Sequence, residues 1–282
     1  MASSLRILFS FVVALFVTSA FAQLDQQTYD EMAYLAKHAS AAYKEDCRSP
    51  VGTTKLAQYE NGAKGYIAVD QQRKWIIVAF RGTNGAQDLI TDLDNALVPY
   101  TVQGSKGCQG CKVHSGFQKA WAKNVNAVIS DLKIVKKEYP EHRIMITGHS
   151  LGGGLSALCG ITIAQEFGIG KVTAYGFAAP RVGDKNFAAH QEAAFPGKTF
   201  HRVTSMDDGV PQDLKVSEGY YHGGTEYWIQ KEPNPSINDI KVCNGSEDPT
   251  CNAKAAANVR IPMGINQAHF TYFVQMGSST QC

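Results

Sequence analysis

The spacing of apolar residues predicts helices and strands in alternation along the chain. Residues 27–43 repeat apolar side chains at helical intervals, which predicts an amphipathic helix near the N-terminus. The apolar runs 65–69 and 75–80, separated by a polar turn, predict a β-hairpin. Apolar positions in residues 117–135 step by three or four, which predicts one long amphipathic helix that ends before Pro140.

The centre of the chain continues this alternation. The apolar run 144–147 is followed by a Gly-rich turn and a long apolar segment from Gly153, the pattern of a strand, a sharp turn and a helix. Runs 172–178 and 202–205 predict further strands, with a helix over 184–195 between them. Because such alternation is typical of parallel sheets, we expect one α/β domain over residues 23–282, with a mostly parallel sheet flanked by helices.

Residues 1–22 have the pattern of a secretory signal peptide. One basic residue, Arg6, precedes the apolar run 7–17, and Ala20-Phe21-Ala22 then supplies a cleavage pattern. The alternative is an N-terminal membrane anchor, but the apolar run is shorter than an ordinary membrane span. We therefore expect a secreted, extracellular mature chain without a transmembrane segment.

Composition narrows the possible partners. A hydrophobic fraction of 44% with 18% charged residues is typical of a globular protein with a substantial core. The formal net charge of +2 provides no excess of positive charge that would favour nucleic acid. We expect no nucleic-acid partner, and we expect a monomer.

Secretion changes how the seven cysteines are interpreted, because thiols in an oxidising compartment tend to pair. Cys159 is expected to be the unpaired one, since it lies in the apolar helix after the central turn, where a cysteine behaves as a small buried hydrophobe. Cys108 and Cys111 could suggest zinc or redox chemistry, but no second ligand pair accompanies them. A local disulfide is the better interpretation, and spacing leaves the other pairings open.

The turn Gly148-His149-Ser150-Leu151-Gly152 has the Gly-x-Ser-x-Gly pattern of a nucleophile elbow. Such a turn raises a serine to the carboxyl end of a central strand, so Ser150 is the candidate nucleophile. A serine hydroxyl needs a histidine to accept its proton and a carboxylate to orient that histidine. Neighbours on so tight a turn diverge, so His149 is expected to serve in packing or hydrogen bonding.

In folds with this elbow the acid and then the histidine follow the serine along the chain. Asp207 and Asp208 both follow a late strand and are candidate acids. His269 lies where the last loop before a terminal helix is expected, which favours it as the base. His222 lies in an aromatic, Gly-rich run, where a structural hydrogen bond is the more common role. His190 and His201 are the other histidines after Ser150.

The segment after the strand at 75–80 has two features of interest. Residues 81–85 form a loop at a strand's carboxyl end, which is either an ordinary turn or a source of oxyanion donors. Downstream, apolar side chains stand at helical spacing while acids fill the other face. Such a stripe is usually core, but here it also suits a movable lid over an apolar site. The stripe consists of Ala86, Leu89, Ile90 and Leu93.

Several motifs together resemble the fungal class 3 lipase family, which comprises the filamentous-fungal lipases and the type A feruloyl esterases. They are Val78-Ala79-Phe80-Arg81-Gly82-Thr83, Val113-His114-Ser115-Gly116-Phe117, Thr147-Gly148-His149-Ser150-Leu151-Gly152-Gly153, Phe177-Ala178-Ala179-Pro180-Arg181-Val182-Gly183 and Asp208-Gly209-Val210-Pro211. The resemblance implies an α/β-hydrolase fold with Asp208 as the acid and His269 as the base. It also implies oxyanion donors at Thr83, through backbone and hydroxyl, and at the Leu151 backbone N–H.

Residues 218–228 and the cysteine layout look particularly like the feruloyl esterase branch. That likeness implies three disulfide bridges, which join Cys47 to Cys282, Cys108 to Cys111 and Cys243 to Cys251. Asn244 begins an Asn-Gly-Ser acceptor pattern for N-glycosylation, in an expected surface loop.

These features together predict a secreted carboxylic ester hydrolase that needs neither metal nor cofactor. The apolar lid stripe favours a lipase that cleaves acylglycerol esters at a lipid–water interface through an acyl-enzyme intermediate. One alternative is a feruloyl esterase that releases hydroxycinnamates from plant cell-wall polysaccharide. The alternative from another class is a non-catalytic lipid-binding protein on the same scaffold.

Overall fold

The computed structural model describes residues 23–83, 96–259 and 265–282. The signal peptide predicted at residues 1–22 and the lid predicted around residues 86–93 lie outside this part of the chain. The helices are α1 (Gln26–Ala41), α2 (Ser115–Ala122), α3 (Val125–Glu138), α4 (Leu151–Phe167), α5 (Lys185–Ala194) and α6 (Asn252–Ala256). The strands are β1 (Thr54–Tyr59), β2 (Gly65–Asp70), β3 (Trp75–Phe80), β4 (Leu97–Pro99), β5 (Lys112–His114), β6 (Arg143–His149), β7 (Val172–Phe177), β8 (Phe200–Ser205), β9 (Thr225–Ile229), β10 (Ile240–Val242), β11 (Thr271–Tyr272) and β12 (Val274–Gln275).

An eight-stranded sheet in the order β1-β2-β3-β6-β7-β8-β9-β10 forms the centre of the fold. Strands β3, β6, β7, β8 and β9 run parallel to one another. Strands β1 and β2 at one side and β10 at the other pair antiparallel. The hairpin predicted at 65–69 and 75–80 is therefore present as the β2–β3 pair.

Helices cover both faces of the sheet, which explains why its central strands are apolar along their whole length. Ile76, Val78 and Phe80 of β3 point to the face covered by α2, α3, α4 and α5. The alternate residues Ile77 and Ala79 point to the other face, where α1 packs. Because both faces are buried, strands β2, β3 and β7 carry mostly hydrophobic runs rather than alternating patterns. Strand β8 is equally buried but contains His201, Arg202 and Thr204.

The single long helix predicted over residues 117–135 is wrong, because α2 and α3 are separate helices. The break falls at Asn124, whose side-chain oxygen accepts a hydrogen bond from the backbone N–H of Ala63 at 3.0 Å. Trp121 of α2 and Val128 of α3 both belong to the same core cluster. The hydrophobic spacing therefore continues across the break and conceals it.

The terminal helix expected after His269 is also wrong. One short 3₁₀ turn, Gln267–Phe270, carries His269 and leads into the small β11–β12 hairpin. Tyr272 of this hairpin is buried in the core cluster beside α1. The conformation of this short aromatic segment is thus set by its packing in the core, and its intrinsic secondary-structure propensity does not predict it.

Three disulfides join Cys47 to Cys282, Cys108 to Cys111 and Cys243 to Cys251. These are the pairs that the family resemblance implied. Cys159 is free and buried in α4, as expected from its apolar surroundings. Among the helices in the described ranges, none combines the length and the apolar character needed to cross a membrane.

Candidate active site

The carboxyl ends of the parallel strands meet at one edge of the sheet, and the candidate residues follow these ends. Phe80 of β3 pairs with Gly148 of β6, so the loop after β3 lies beside the turn that carries Ser150. Asp208 follows β8, two strands further along the sheet. This is the edge at which α/β folds place their sites.

Ser150 occupies a strained position between β6 and α4. Its backbone angles are φ 59° and ψ −121°, a combination that a residue with a side chain rarely adopts. The helix that follows approaches β3 closely, because a Cβ added at Gly152 would lie 2.4 Å from the carbonyl oxygen of Phe80. The flanking glycine therefore permits the tight turn, and the turn holds Ser150 at the start of α4.

Ser150, His269 and Asp208 form one hydrogen-bonded chain. The Nε2 atom of His269 lies 3.1 Å from Ser150 Oγ, and its Nδ1 lies 3.1 Å from both carboxylate oxygens of Asp208. A carboxylate only accepts, so Nδ1 carries the proton and Nε2 can accept the serine proton. The arrangement has the hydrogen-bond order that a serine nucleophile requires.

Asp208 is fully buried and receives several hydrogen bonds. Tyr272 donates its hydroxyl to Oδ2 at 2.5 Å, and the backbone N–H of Val210 donates to Oδ1 at 3.0 Å. Burial and the charge of Asp208 raise the pKa of the Tyr272 hydroxyl well above its usual value, so this phenol remains a donor. Asp207 is exposed instead. Nothing in the sequence pointed to Tyr272, although it follows His269 by only three residues.

His149 holds the backbone that carries His269. Its Nε2 donates to the carbonyl oxygen of His269 at 2.7 Å, and its Nδ1 accepts from the Tyr43 hydroxyl at 2.7 Å. Burial, with the nearby His269 ring, lowers the pKa of His149 well below its usual value and keeps it neutral. The expectation of a hydrogen-bonding role agrees with these contacts, whereas the link to His269 was not foreseen.

The other histidines after Ser150 bond elsewhere. His222 is buried and approaches the carbonyl oxygen of Pro211 through Nε2 at 2.7 Å. His190 approaches the carbonyl oxygen of Gly104 at 2.8 Å, and His201 stacks on Tyr175 with ring centroids 4.3 Å apart. Among the described residues, His269 is the histidine that contacts Ser150.

The loop after β3 passes close to Ser150. A Cβ added at Gly82 would lie 2.9 Å from Ser150 Cβ, and Thr83 lines the same pocket as Ser150. Leu151 is the first residue of α4, so its N–H is among those at a helix start that have no acceptor within the helix. Thr83 thus lies in the same pocket as Ser150 and Leu151 follows it in the chain, and the oxyanion donors expected at these two residues stay a prediction.

A pocket of about 360 Å³ contains the nucleophile and the base. Its described lining includes the polar residues Tyr43, Lys44 and Thr83 and the apolar residues Phe270 and Met276. The lid residues Ala86, Leu89, Ile90 and Leu93 lie outside the described residues, so the lid stays a prediction. Asn244 is exposed on the surface loop beside Cys243.

Within the described ranges, one group of side chains has the spacing of metal ligands: Cys243, Asp248 and Cys251. The two cysteines are joined to each other, and Asp248 accepts hydrogen bonds from the backbone of Asn244 and Thr250. These contacts therefore stabilise a surface loop.

A family model described as Lipase (class 3) matches residues 77–216, a region that includes Thr83, Ser150 and Asp208 and stops before His269. The chain is 33% identical over 216 residues to Lipase A of Sodiomyces alcalophilus, an alignment that covers 68% of this chain and 52% of the relative. It is 32% identical over 214 residues to secreted mono- and diacylglycerol lipase A of Penicillium camembertii, an alignment that covers 75% of this chain and 66% of the relative. The chain thus spans between about half and two thirds of these relatives.

Solved structures show the same architecture. A triacylglycerol lipase from Penicillium expansum superposes with a TM-score of 0.81 at 23% identity, covering 91% of this chain and 98% of that one. A lipase from Rhizopus microsporus var. chinensis superposes with a TM-score of 0.77 at 27% identity, covering 92% of each chain. Both likenesses confirm the predicted α/β-hydrolase fold.

Proposed function

The chain belongs to the class 3 lipase family, and from this premise we propose that it is a secreted serine ester hydrolase that cleaves acylglycerol esters. The observation that carries the proposal is the buried hydrogen-bonded chain from Ser150 through His269 to Asp208. A protein that only binds lipid has no use for a serine strained into contact with a buried histidine–carboxylate pair.

The first half of the proposed reaction uses Ser150 as the nucleophile. Its hydroxyl already points to His269 Nε2, so the base takes the proton as Oγ attacks the ester carbon. Asp208 stabilises the imidazolium that forms and holds its tautomer. The N–H groups of Leu151 and Thr83, with the Thr83 hydroxyl, receive the oxyanion, and each such donor is worth about 3 kcal/mol to the transition state.

The second half regenerates the enzyme. His269 returns its proton to the alcohol as the tetrahedral intermediate collapses, which leaves Ser150 acylated. The same histidine then deprotonates a water that attacks the acyl-enzyme, and the carboxylic acid leaves. Every proton transfer in this scheme involves His269, so the hydrogen bond from His149 to its backbone has a positioning role.

The proposed location is extracellular. Four of the relatives are named as secreted mono- and diacylglycerol lipases. This chain has three disulfides, and disulfides persist in oxidising compartments. We expect the secreted protein to begin at Gln23 after signal cleavage, and we expect a glycan on Asn244. N-terminal sequencing and endoglycosidase treatment of the secreted form would test both expectations.

A fluorophosphonate probe, which reacts with activated serines, tests the catalytic role. The wild type should be labelled, whereas Ser150→Ala should not, because the substitution removes the reacting oxygen. Turnover should fall by a factor on the order of 10⁴ or more in Ser150→Ala. The fold should persist, since one oxygen contributes little packing. A folded wild type that resists the probe would instead support a lipid-binding protein.

The substrate class is tested by comparing emulsified long-chain glycerides with methyl ferulate. A lipase that acts at a lipid–water interface should show a rise in glyceride hydrolysis above the solubility limit. Ser150→Ala provides the background rate for both substrates. Efficient release of ferulate with negligible glyceride hydrolysis would assign the protein to the feruloyl esterase branch and reject acylglycerol as its substrate.

A further inference from the structure

Lys44 is a lysine held at the wall of the pocket that contains Ser150. Its backbone follows α1, where its N–H donates to the carbonyl oxygen of Ala41 at 3.0 Å and its carbonyl oxygen accepts from Cys47 at 3.2 Å. Cys47 is in turn bonded to Cys282. The disulfide and these two turns fix the position of Lys44, and its side chain is half-buried.

The charge of Lys44 is not neutralised by a protein partner in the described ranges. The carboxylate of the neighbouring Glu45 pairs with other cations instead. Its Oε1 lies 3.6 Å from Lys64 Nζ and 3.7 Å from Arg81 Nη2. No described residue that lines the pocket carries a carboxylate. Asp208 is fully buried behind His269 and does not line the pocket.

The other described residues that line the pocket do not supply a negative charge either. Tyr43 lines it as a neutral phenol, because burial raises the pKa of this hydroxyl far above neutrality. His149 is kept neutral by burial, which lowers its pKa. Phe270 and Met276 provide apolar walls. Among the described residues that line the pocket, Lys44 therefore supplies a positive charge that no carboxylate opposes.

We propose that Lys44 binds an anionic group of the ester substrate, a carboxylate or a phosphate close to the bond that is cleaved. This inference rests on the proposed ester hydrolysis and names the substrate class more narrowly. The ammonium group has three donors on a flexible stem, so it can reach oxygens at several positions in the pocket. Its partial burial beside apolar walls strengthens the attraction relative to bulk water.

The experiment uses two pairs of soluble esters that differ in one anionic group. Ethyl hydrogen succinate against ethyl butyrate tests a carboxylate on the acyl side. 1-Butyryl-glycerol 3-phosphate against 1-monobutyrin tests a phosphate on the alcohol side. The quantity measured is the ratio of kcat/KM for the anionic ester to kcat/KM for its neutral partner, at pH 8 and low salt.

In at least one pair, Lys44→Gln should lower this ratio about tenfold, the effect of about 1.4 kcal/mol of lost attraction. Lys44→Arg, which keeps the charge, should retain most of the wild-type ratio. Lys37→Gln is the matched control, because Lys37 is exposed on α1 and does not line the pocket. High salt should reduce the wild-type ratio, since ions screen the attraction.

The pair that responds identifies the anion as a carboxylate or a phosphate. A ratio that is the same in Lys44→Gln and wild type for both pairs overturns the assignment of Lys44. Failure of the wild type to hydrolyse any of the four esters overturns the proposed ester hydrolysis itself. Circular dichroism and the thermal midpoint of Lys44→Gln and Lys44→Arg ensure that the comparison is made between folded proteins.

Discussion

Two adjacent aspartates that look alike in the sequence differ completely in their surroundings. Asp208 is buried and accepts from His269, Tyr272 and Val210, whereas Asp207 is exposed. Both oxygens of Asp208 face donors. An asparagine at this position would turn its amide N–H₂ toward at least one of those donors.

Asp208→Asn should therefore lower kcat by about 10⁴-fold, because His269 loses both its tautomer and its charge partner. Asp207→Asn is the control and should change kcat by less than about threefold. Steady-state hydrolysis of a soluble short-chain ester measures both. The opposite ranking would show that Asp207 is the acid and that the arrangement at Asp208 is structural.

Asp213 is a second acid near this site, and its surroundings oppose its ionisation. Its Oδ2 is buried without a hydrogen-bond partner among the described residues. Burial, with the charge of Asp208, raises the pKa of Asp213 to about 7. The guanidinium of Arg181 donates to the backbone carbonyl oxygens of Gln212 and Asp213 rather than to this carboxylate.

The raised pKa has a defined effect on stability. The folded state holds a proton on Asp213 that the unfolded state loses near pH 4, so the contribution of Asp213 to stability is complete below pH 4 and is lost as pH rises through about 7. Asp213→Asn should remove this decline. Relative to wild type, it should gain on the order of 2 kcal/mol between pH 4 and pH 8, a figure reduced for partial exposure.

Urea unfolding at pH 4.5 and pH 8 measures the effect, with Asp207→Asn as the exposed control. The free energy of unfolding of Asp213→Asn should exceed that of wild type more at pH 8 than at pH 4.5. An equal difference at the two pH values would mean that Asp213 ionises normally in the folded protein.

At the scale of elements, the site depends on how closely α4 approaches β3. A Cβ on Gly152 would lie 2.4 Å from the carbonyl oxygen of Phe80 and 2.7 Å from that of Arg81. These are backbone atoms, which cannot rotate away. In the same helix, a Cβ on Gly160 would meet the ring of Phe195 at 2.4 Å, and a side-chain ring can move.

Gly152→Ala should thus displace the start of α4 from the Arg81-Gly82-Thr83 loop and separate the proposed oxyanion donors. We expect a loss of kcat of about 100-fold or more, together with a lower thermal midpoint. Gly160→Ala is the matched substitution and should keep most of the activity. Activity assays with melting curves on both variants make the comparison. Wild-type kcat in Gly152→Ala would show that the contact is not needed for catalysis.

At the scale of the whole molecule, the Cys47–Cys282 disulfide ties the end of the chain to the segment after α1. It spans 235 residues, whereas Cys108–Cys111 spans 3. In the chain-entropy model, the long loop restricts the unfolded state far more than the short one does. The model gives a stabilisation of about 5 kcal/mol for Cys47–Cys282 and about 2 kcal/mol for Cys108–Cys111.

The double substitution Cys47→Ser/Cys282→Ser should destabilise the protein more than Cys108→Ser/Cys111→Ser does. It should also lower activity near the melting transition, because the same disulfide holds the segment that carries Lys44. Denaturant titrations of the two double variants compare their free energies of unfolding. Equal losses, or a larger loss for the short loop, would contradict the entropic argument.

The sequence alone determined the features that depend only on residues close together in the chain. Glycine spacing predicted the elbow at Ser150, and apolar runs predicted the central strands, because both are consequences of backbone sterics and burial within a few residues. The sequence also indicated His269 through the order of residues that such a fold imposes. The apolar pattern did not reveal the break between α2 and α3 at Asn124, where the side chain bonds to Ala63, a residue distant in sequence.

Tertiary structure alone decided which side chains share the site. Burial separates Asp208 from Asp207, and packing of the β11–β12 hairpin places Tyr272 against Asp208. The contact between His149 and the His269 backbone joins β6 to the segment before β11. The position of Lys44 in the pocket depends on how α1, which precedes it, lies against the sheet. These contacts join residues far apart along the chain. No local periodicity encodes them, because they arise only when the layers of the fold pack together.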